Sequence, residues 1–264
     1  MKSKSIIFPF IVVLLAISVC PSPALGDIHP FSEGEKMVYE IKWIGIPVGK
    51  GALEVFTTDG SQDKDAYLFE LRVQSNRSVD LLYRVRDQFS SLSALDLTKS
   101  YRFRKIQKEG NKKRDVKVRF DWERNEVTYS NFDKTKPPVS LIPGTLDPLA
   151  AVYFVRTRDL EGSRIVRVPV TNGKKCMVGV ANILGKQTIK IDSGVYETYL
   201  LEADTGQVGG VFEKTDDKKF KVWITADERR IPVKVETDVS VGTFTAELLS
   251  YSKGSSAETG LKRK

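Results

Sequence analysis

The chain has 264 residues, a formal charge of +8, one histidine and two cysteines. Only Cys176 lies beyond residue 26, and one histidine with one cysteine cannot build a Cys/His zinc site. The lone His29 leaves Ser-His-Asp and Cys-His triads incomplete unless it folds back from near the start of the exported chain. There is no Gly-x-x-x-x-Gly-Lys-Ser/Thr loop and no dinucleotide fingerprint opening a helix, so no cofactor and no metal are expected.

The first 26 residues read as a secretory signal peptide. Lys2 and Lys4 precede an apolar run from Ile6 to Val19, and Ala24-Leu25-Gly26 places small residues where a signal peptidase cuts, before Asp27. The run is too short to span a bilayer. Lipid anchoring at Cys20 is the alternative, and the bulky Val19 before it argues against a lipobox. Cleavage removes two lysines and no acid, leaving a charge of +6 on residues 27–264. That part retains only Cys176, so no intrachain disulfide is available and the fold must rest on its core. The expected location is the periplasm. An exported chain excludes nucleic acid as partner.

Strand signals then follow one another. In residues 36–48, Met37, Tyr39, Ile41 and Trp43 alternate with polar neighbours, and Gly49-Lys50-Gly51 reads as a turn before a strand at 52–57. A third strand is expected at 67–74. Residues 76–93 read as strand with a short helical turn near 79–82. Residues 101–108 and 115–122 form a hairpin around Gly110, with Val116, Val118, Phe120 and Trp122 on one face. Another strand is expected at 126–132.

Pro137-Pro138 marks a linker and Pro143-Gly144 a turn. Residues 146–158 read as the one convincing helix, with Asp147 as N-cap, Pro148 in the first position, and Leu149, Val152 and Tyr153 as an apolar stripe. Strands resume at 163–170 and 174–182 around Asn172-Gly173, then at 187–192, 196–203, 220–225, 231–239 and 242–251. Residues 252–264 are small, polar and basic and read as a disordered tail. The fold expected is mainly β: a strongly curved antiparallel sheet or partly open barrel in one domain over 27–251, with the helix covering one opening or face.

Three ordered blocks carry a resemblance. They are G-E-K-M-V-Y-E-I-K-W-I-G-I-P-V-G-K-G from Gly34, D-P-L-A-A-V-Y-F-V-R from Asp147, and V-W-I-T-A-D-E-R-R-I-P-V from Val222, the last followed by Gly242-Thr243-Phe244. Over residues 31–251 the chain resembles the exported bacterial envelope proteins catalogued as domain of unknown function 3108. The resemblance implies an envelope location and a β-rich fold, and it implies no reaction.

Two groups of cations are candidate ligand-binding residues. Arg229 and Arg230, in the turn after Thr225, could hold a phosphate or carboxylate, or could simply be solvated turn charges. Residues 99–124 carry eleven cations against four acids, among them Lys112, Lys113, Arg114 and Arg119. Such a hairpin could dock on anionic headgroups, or could be a solvated face that discourages sheet pairing. Paired carboxylates such as Asp216-Asp217 sit in a polar turn. No catalytic residue is identified, so the chain reads as a non-enzymatic envelope binding protein. Either its curved sheet holds an apolar or lipid-like ligand, or it is a scaffold pairing with envelope proteins through an edge strand.

Overall fold

The computed structural model describes residues 29–58, 65–204, 219–239 and 242–254. The expected signal peptide, Cys20, Asp216-Asp217 and most of the 252–264 tail lie outside the described residues.

The first half is an antiparallel meander. Its strands are β1 (Lys36–Trp43), β2 (Ile46–Thr58), β3 (Ala66–Ser75), β4 (Arg86–Ala94), β5 (Ser100–Glu109), β6 (Lys112–Asp121) and β7 (Glu126–Asn131), then the two-residue β8 (Lys134–Thr135) and β9 (Val139–Ser140). A single helical turn, α1 (Arg77–Asp80), interrupts the passage from β3 to β4. After β9 comes α2 (Pro148–Arg156), the longer of the two helices among the described residues. A second meander follows: β10 (Ile165–Thr171), β11 (Cys176–Ile191), β12 (Gly194–Asp204), β13 (Lys219–Thr225), β14 (Pro232–Val239) and β15 (Gly242–Ser252). The halves join because β15 pairs with β1 along its whole length, producing one continuous sheet from β10 through β15 and β1 to β8.

The alternation seen in the sequence decides which side is inward. Met37 and Tyr39, Leu53 and Val55, Val116 and Val118, and Val127 and Tyr129 occupy every second position and are buried. One apolar cluster unites residues of β1 to β7 with residues of β10, β13, β14 and β15 and of α2, so the sheet curls until both halves face the same core. It does not close. The end strands β10 and β8 are not paired with each other. Instead the segment before α2 docks on β10: the Leu146 amide donates to the Pro169 carbonyl at 2.9 Å, and the Thr171 amide donates to the Leu146 carbonyl at 3.0 Å. The helix lies inside the curl against β4 and β10.

Three local expectations are corrected. The first turn is at Ile44-Gly45, not at Gly49-Lys50-Gly51. Both turn residues have positive φ, 49° and 79°, as a two-residue type I′ hairpin requires. Gly49 and Gly51 lie within β2. A β-carbon on Gly49 would collide with the Gln74 carbonyl of β3, so this glycine serves close strand approach. Residues 187–192 are not a separate strand but the continuation of β11 past an irregularity at Ile183–Gly185. The helix is also shorter than expected, ending at Arg156 with Thr157 as its C-cap.

Candidate functional site

Sequence and topology offer three places where chemistry could reside: the interior beneath α2, the turn after β13, and the cation-rich β5–β6 hairpin.

The interior is filled by the protein's own side chains. The Tyr153 ring of α2 stacks on Phe69 of β3 with centroids 3.8 Å apart, and Phe31 meets Tyr153 edge-on at 4.9 Å. At the start of α2, Asp147 caps the helix, with Oδ1 accepting from the amides of Leu149 and Ala150 at 2.9 and 3.2 Å. Its Oδ2 accepts from the hydroxyls of Ser91 and Ser100 at 2.6 and 2.7 Å. Ser93 joins the two serines, 3.1 Å from Ser91 and 3.0 Å from Ser100. Burial raises the Asp147 carboxyl above the ordinary carboxylate range, with the serine and amide donors opposing that shift.

At the other end of α2, Arg156 is fully buried and forms a two-pronged ion pair with Glu35, at 2.6 and 2.9 Å. Its remaining donors reach the carbonyls of Pro30, Arg229 and Arg230 at 3.2, 3.0 and 3.0 Å. Burial alone works against the Arg156 charge, but Glu35 overcomes it and the guanidinium is held more firmly protonated than usual. Burial also pushes the Tyr39 and Tyr153 hydroxyls above the ordinary tyrosine range.

These networks hold the helix in place and present nothing reactive to solvent. The buried serine hydroxyls donate to Asp147, whose other oxygen is taken by the helix amides. His29 stands apart, its Nε2 2.6 Å from the Leu95 carbonyl oxygen and its ring stacked against Phe31. Cys176 is half-buried with its sulfur 3.2 Å from the Thr145 hydroxyl. Among the described residues no cluster of His, Cys, Asp and Glu is placed to hold a metal ion, and no helix is long and apolar enough to cross a membrane. Two surface hollows stand out. One of about 400 Å³ is lined by Leu160, Arg164, Ile183, Lys186 and Tyr199, and one of about 280 Å³ by Glu70, Arg72, Gln88 and Arg104. Neither has a wall formed by α2.

The two expected cation groups are not brought together. Arg229 and Arg230 lie between β13 and β14, while Lys112, Lys113, Arg114 and Arg119 lie on β6, with six strands intervening in the sheet order. Arg229 is ion-paired with Asp227 and lies over the Tyr251 ring at 5.7 Å. Burial works against ionisation of Asp227, but Arg229 and Thr225 hold its carboxyl below the ordinary range. Arg230 lies over the Tyr199 ring at 5.1 Å and has positive φ. The carbonyls of both residues receive Arg156, so this turn is the far wall of the buried ion pair. Sequence reasoning weighed the two side chains and missed that their backbone does the holding.

The β5–β6 hairpin is different. Its outward register sets Arg102 opposite Arg119 and Lys108 opposite Lys113. Lys112, Lys113, Arg119, Arg102 and Lys108 are all exposed, and Arg114 is half-buried. Arg104 is neutralised by Asp115, which it grips with two donors at 3.0 and 2.9 Å. Like charges directly opposite each other destabilise a strand pair.

The sheet edges are poor templates for another strand. One ends in the two-residue β8 followed by Pro137-Pro138, and the other, β10, is bridged by Leu146.

Among solved structures, the chain is similar to a β-barrel-like protein of domain of unknown function DUF1849 from Brucella abortus. The TM-score is 0.56 at 9% identity, over 84% of this chain and 98% of that one. No curated protein matches the sequence. A family model described as "Protein of unknown function (DUF3108)" matches residues 38–249, so the chain belongs to the DUF3108 family.

Proposed function

We propose that this is an exported, non-catalytic envelope protein that binds an anionic surface through its cation-rich β5–β6 hairpin. The observation that carries the reading is the turn end of the β5–β6 hairpin, where Lys112 and Lys113 are exposed and Lys108 faces Lys113 across the strands. Such pairs cost folding energy in the free protein, and phosphate-bearing lipid headgroups supply the missing counter-charge. An apolar ligand held inside the curl is the less favoured reading, because α2, Phe31 and Phe69 occupy that space. Pairing through an edge strand is likewise less favoured, given the short β8 and the bridged β10.

The test is sedimentation of the purified protein with vesicles of phosphatidylcholine, with and without phosphatidylglycerol, across a salt series. Binding confined to the anionic vesicles and weakening with salt supports the reading. Each near-surface cation contributes about 1 kcal/mol, so replacing Lys112 and Lys113 by glutamine lowers affinity by roughly thirtyfold. Equal binding to both vesicle types, or none, refutes it. A lipid retained at stoichiometric amount in native mass spectrometry would restore the enclosed-ligand reading.

A further inference from the structure

In an antiparallel meander alternate connections emerge at the same end. The β1–β2 turn, the α1 connection between β3 and β4, and the β5–β6 turn therefore share one end of the sheet. They are also fastened to one another. The Asn76 side-chain amide donates to the Pro47 carbonyl at 2.8 Å, and the Asn76 backbone amide donates to the Val48 carbonyl at 2.9 Å. The Gly110 amide donates to the Arg84 carbonyl at 2.8 Å, and the Tyr83 ring lies so close to Gly110 that any β-carbon there would strike it.

This end projects apolar side chains into solvent. Ile44 is 62% exposed, Ile46 64%, Leu81 88% and Leu82 91%. Two leucines exposed to this degree at adjacent positions are not explained by local packing, and contiguous exposed apolar groups mark interaction sites. They are held rigidly. Asn76 caps α1 by accepting from the Val79 amide at 2.9 Å, and Asp80 is gripped by Arg86. A pre-ordered tip loses little entropy on binding.

Cations surround the tip. Arg77 and Arg84 flank the leucines, and Lys112 and Lys113 follow directly on Gly110-Asn111; all four are exposed. Of the nearby acids, Asp80 is paired with Arg86, and Glu109, opposite Lys112 in the register, accepts from Gln107 at 3.0 Å; the cations outnumber them. Apolar side chains ringed by Lys and Arg are the chemistry that enters the headgroup region of an anionic bilayer.

We infer that the end bearing Ile44, Ile46, Leu81 and Leu82 inserts into an anionic phospholipid bilayer, with Arg77, Arg84, Lys112 and Lys113 at headgroup level. This rests on the anionic-surface reading and specifies its geometry. The hairpin meets the membrane with its turn and not with its shaft. Arg119 is seven residues along β6 from Lys112, roughly 23 Å at the rise of a strand. That is well beyond the Debye length of about 8 Å at physiological salt.

The experiment uses vesicles of phosphatidylglycerol and phosphatidylcholine with the mature chain. Leu81→Ser/Leu82→Ser lowers sedimentation by roughly tenfold or more, from lost leucine burial. The pair Leu95→Ser/Ile165→Ser, also exposed but in the β4–β5 connection at the opposite end of the sheet and at the start of β10, leaves it unchanged. Lys112→Gln/Lys113→Gln weakens binding and Arg102→Gln/Arg119→Gln does not. Brominated phosphatidylglycerol quenches the fluorescence of Trp43, which adjoins Ile44, and Trp43→Phe removes the quenched component. Salt-sensitive sedimentation without quenching, indifferent to the leucine pair, overturns insertion while the anionic-surface reading stands. Failure of the wild-type chain to sediment overturns both. Cross-linking of intact cells that joins the leucine turn to an envelope protein, with vesicle binding unaffected by the leucine pair, assigns the tip to a protein partner and overturns insertion.

Discussion

Arg156 and Glu35 are 121 residues apart in sequence, yet they meet in a fully buried two-pronged ion pair at 2.6 and 2.9 Å. The pair fastens the C-terminal end of α2 to the chain entering β1, and through the Arg229 and Arg230 carbonyls to the β13–β14 turn. It thus ties both meanders to the helix they enclose. Removing either partner leaves a buried charge without compensation, which costs about 3–5 kcal/mol. Arg156→Ala and Glu35→Ala are each expected to lower unfolding free energy by that amount in urea denaturation. The double variant loses well under the sum, because the second deletion removes the orphaned charge. Arg156→Lys does not rescue, since an ammonium lacks the planar fork that also reaches three carbonyls. Additive losses in the cycle would rule out the coupling.

Asp147 makes a second, independent fastening at the other end of α2. Asp147→Ala removes an N-cap, about 1 kcal/mol, and strands the buried hydroxyls of Ser91 and Ser100 at about 1–3 kcal/mol. A total loss of about 2–4 kcal/mol is expected. Asp147→Asn retains an acceptor for the helix amides and offers an amide to the serines, so its loss is smaller. Thermal melts of the two variants decide the matter, and an asparagine variant as unstable as the alanine variant contradicts the network described.

Part of this was legible in the sequence. Asp147 before Pro148 identified the helix start because capping is a local interaction. The Asn172-Gly173 and Gly110 turns were legible for the same reason. What escaped was non-local. Arg156 at a helix C-terminal end reads as a solvent-facing charge, and nothing in spacing pairs it with Glu35. The serine partners of Asp147 did leave a trace: Phe89, Ser91 and Ser93 alternate on one face of β4, and inward serines require an acceptor. The misplaced first turn has another cause. Ile44 is β-branched and takes positive φ, an unfavourable conformation that local propensity does not select. The glycines at 49 and 51 therefore looked like the better turn. The exposed leucines at 81 and 82 alternated plausibly with their neighbours, so a strand reading hid their exposure.

Gly49 and Gly51 provide a test of that correction. At Gly49 a β-carbon meets the Gln74 carbonyl and stands 3.1 Å from the Ser75 α-carbon, both backbone atoms that cannot swing away. At Gly51 the nearest atoms are 3.8 Å away. Gly49→Ala is expected to destabilise by about 1–3 kcal/mol through overpacking. Gly51→Ala is neutral or slightly stabilising, since the unfolded chain loses freedom at no steric cost. If the two residues formed a flexible turn, the variants would behave alike in denaturant titration.

The last prediction concerns acid. Arg86 first, then Ser75, hold the Asp80 carboxyl below its ordinary value of 3.8. On acidification the unfolded chain therefore takes up this proton before the folded chain does. The contribution of Asp80 is fully present above its unfolded value, near pH 4, and is lost as pH falls through the lowered folded value. Asp80→Asn is expected to flatten the acid limb of the stability profile and to leave the slope above pH 5 unchanged. Nuclear magnetic resonance titration of the carboxyl provides the direct check. Because Asp80 ends α1 immediately before Leu81, the same titration loosens the leucine turn in the folded protein. Amide exchange at Leu81 and Leu82 should rise, relative to its intrinsic rate, over the pH range in which Asp80 becomes protonated. Exchange that ignores this protonation would mean the leucine turn is held by Asn76 alone.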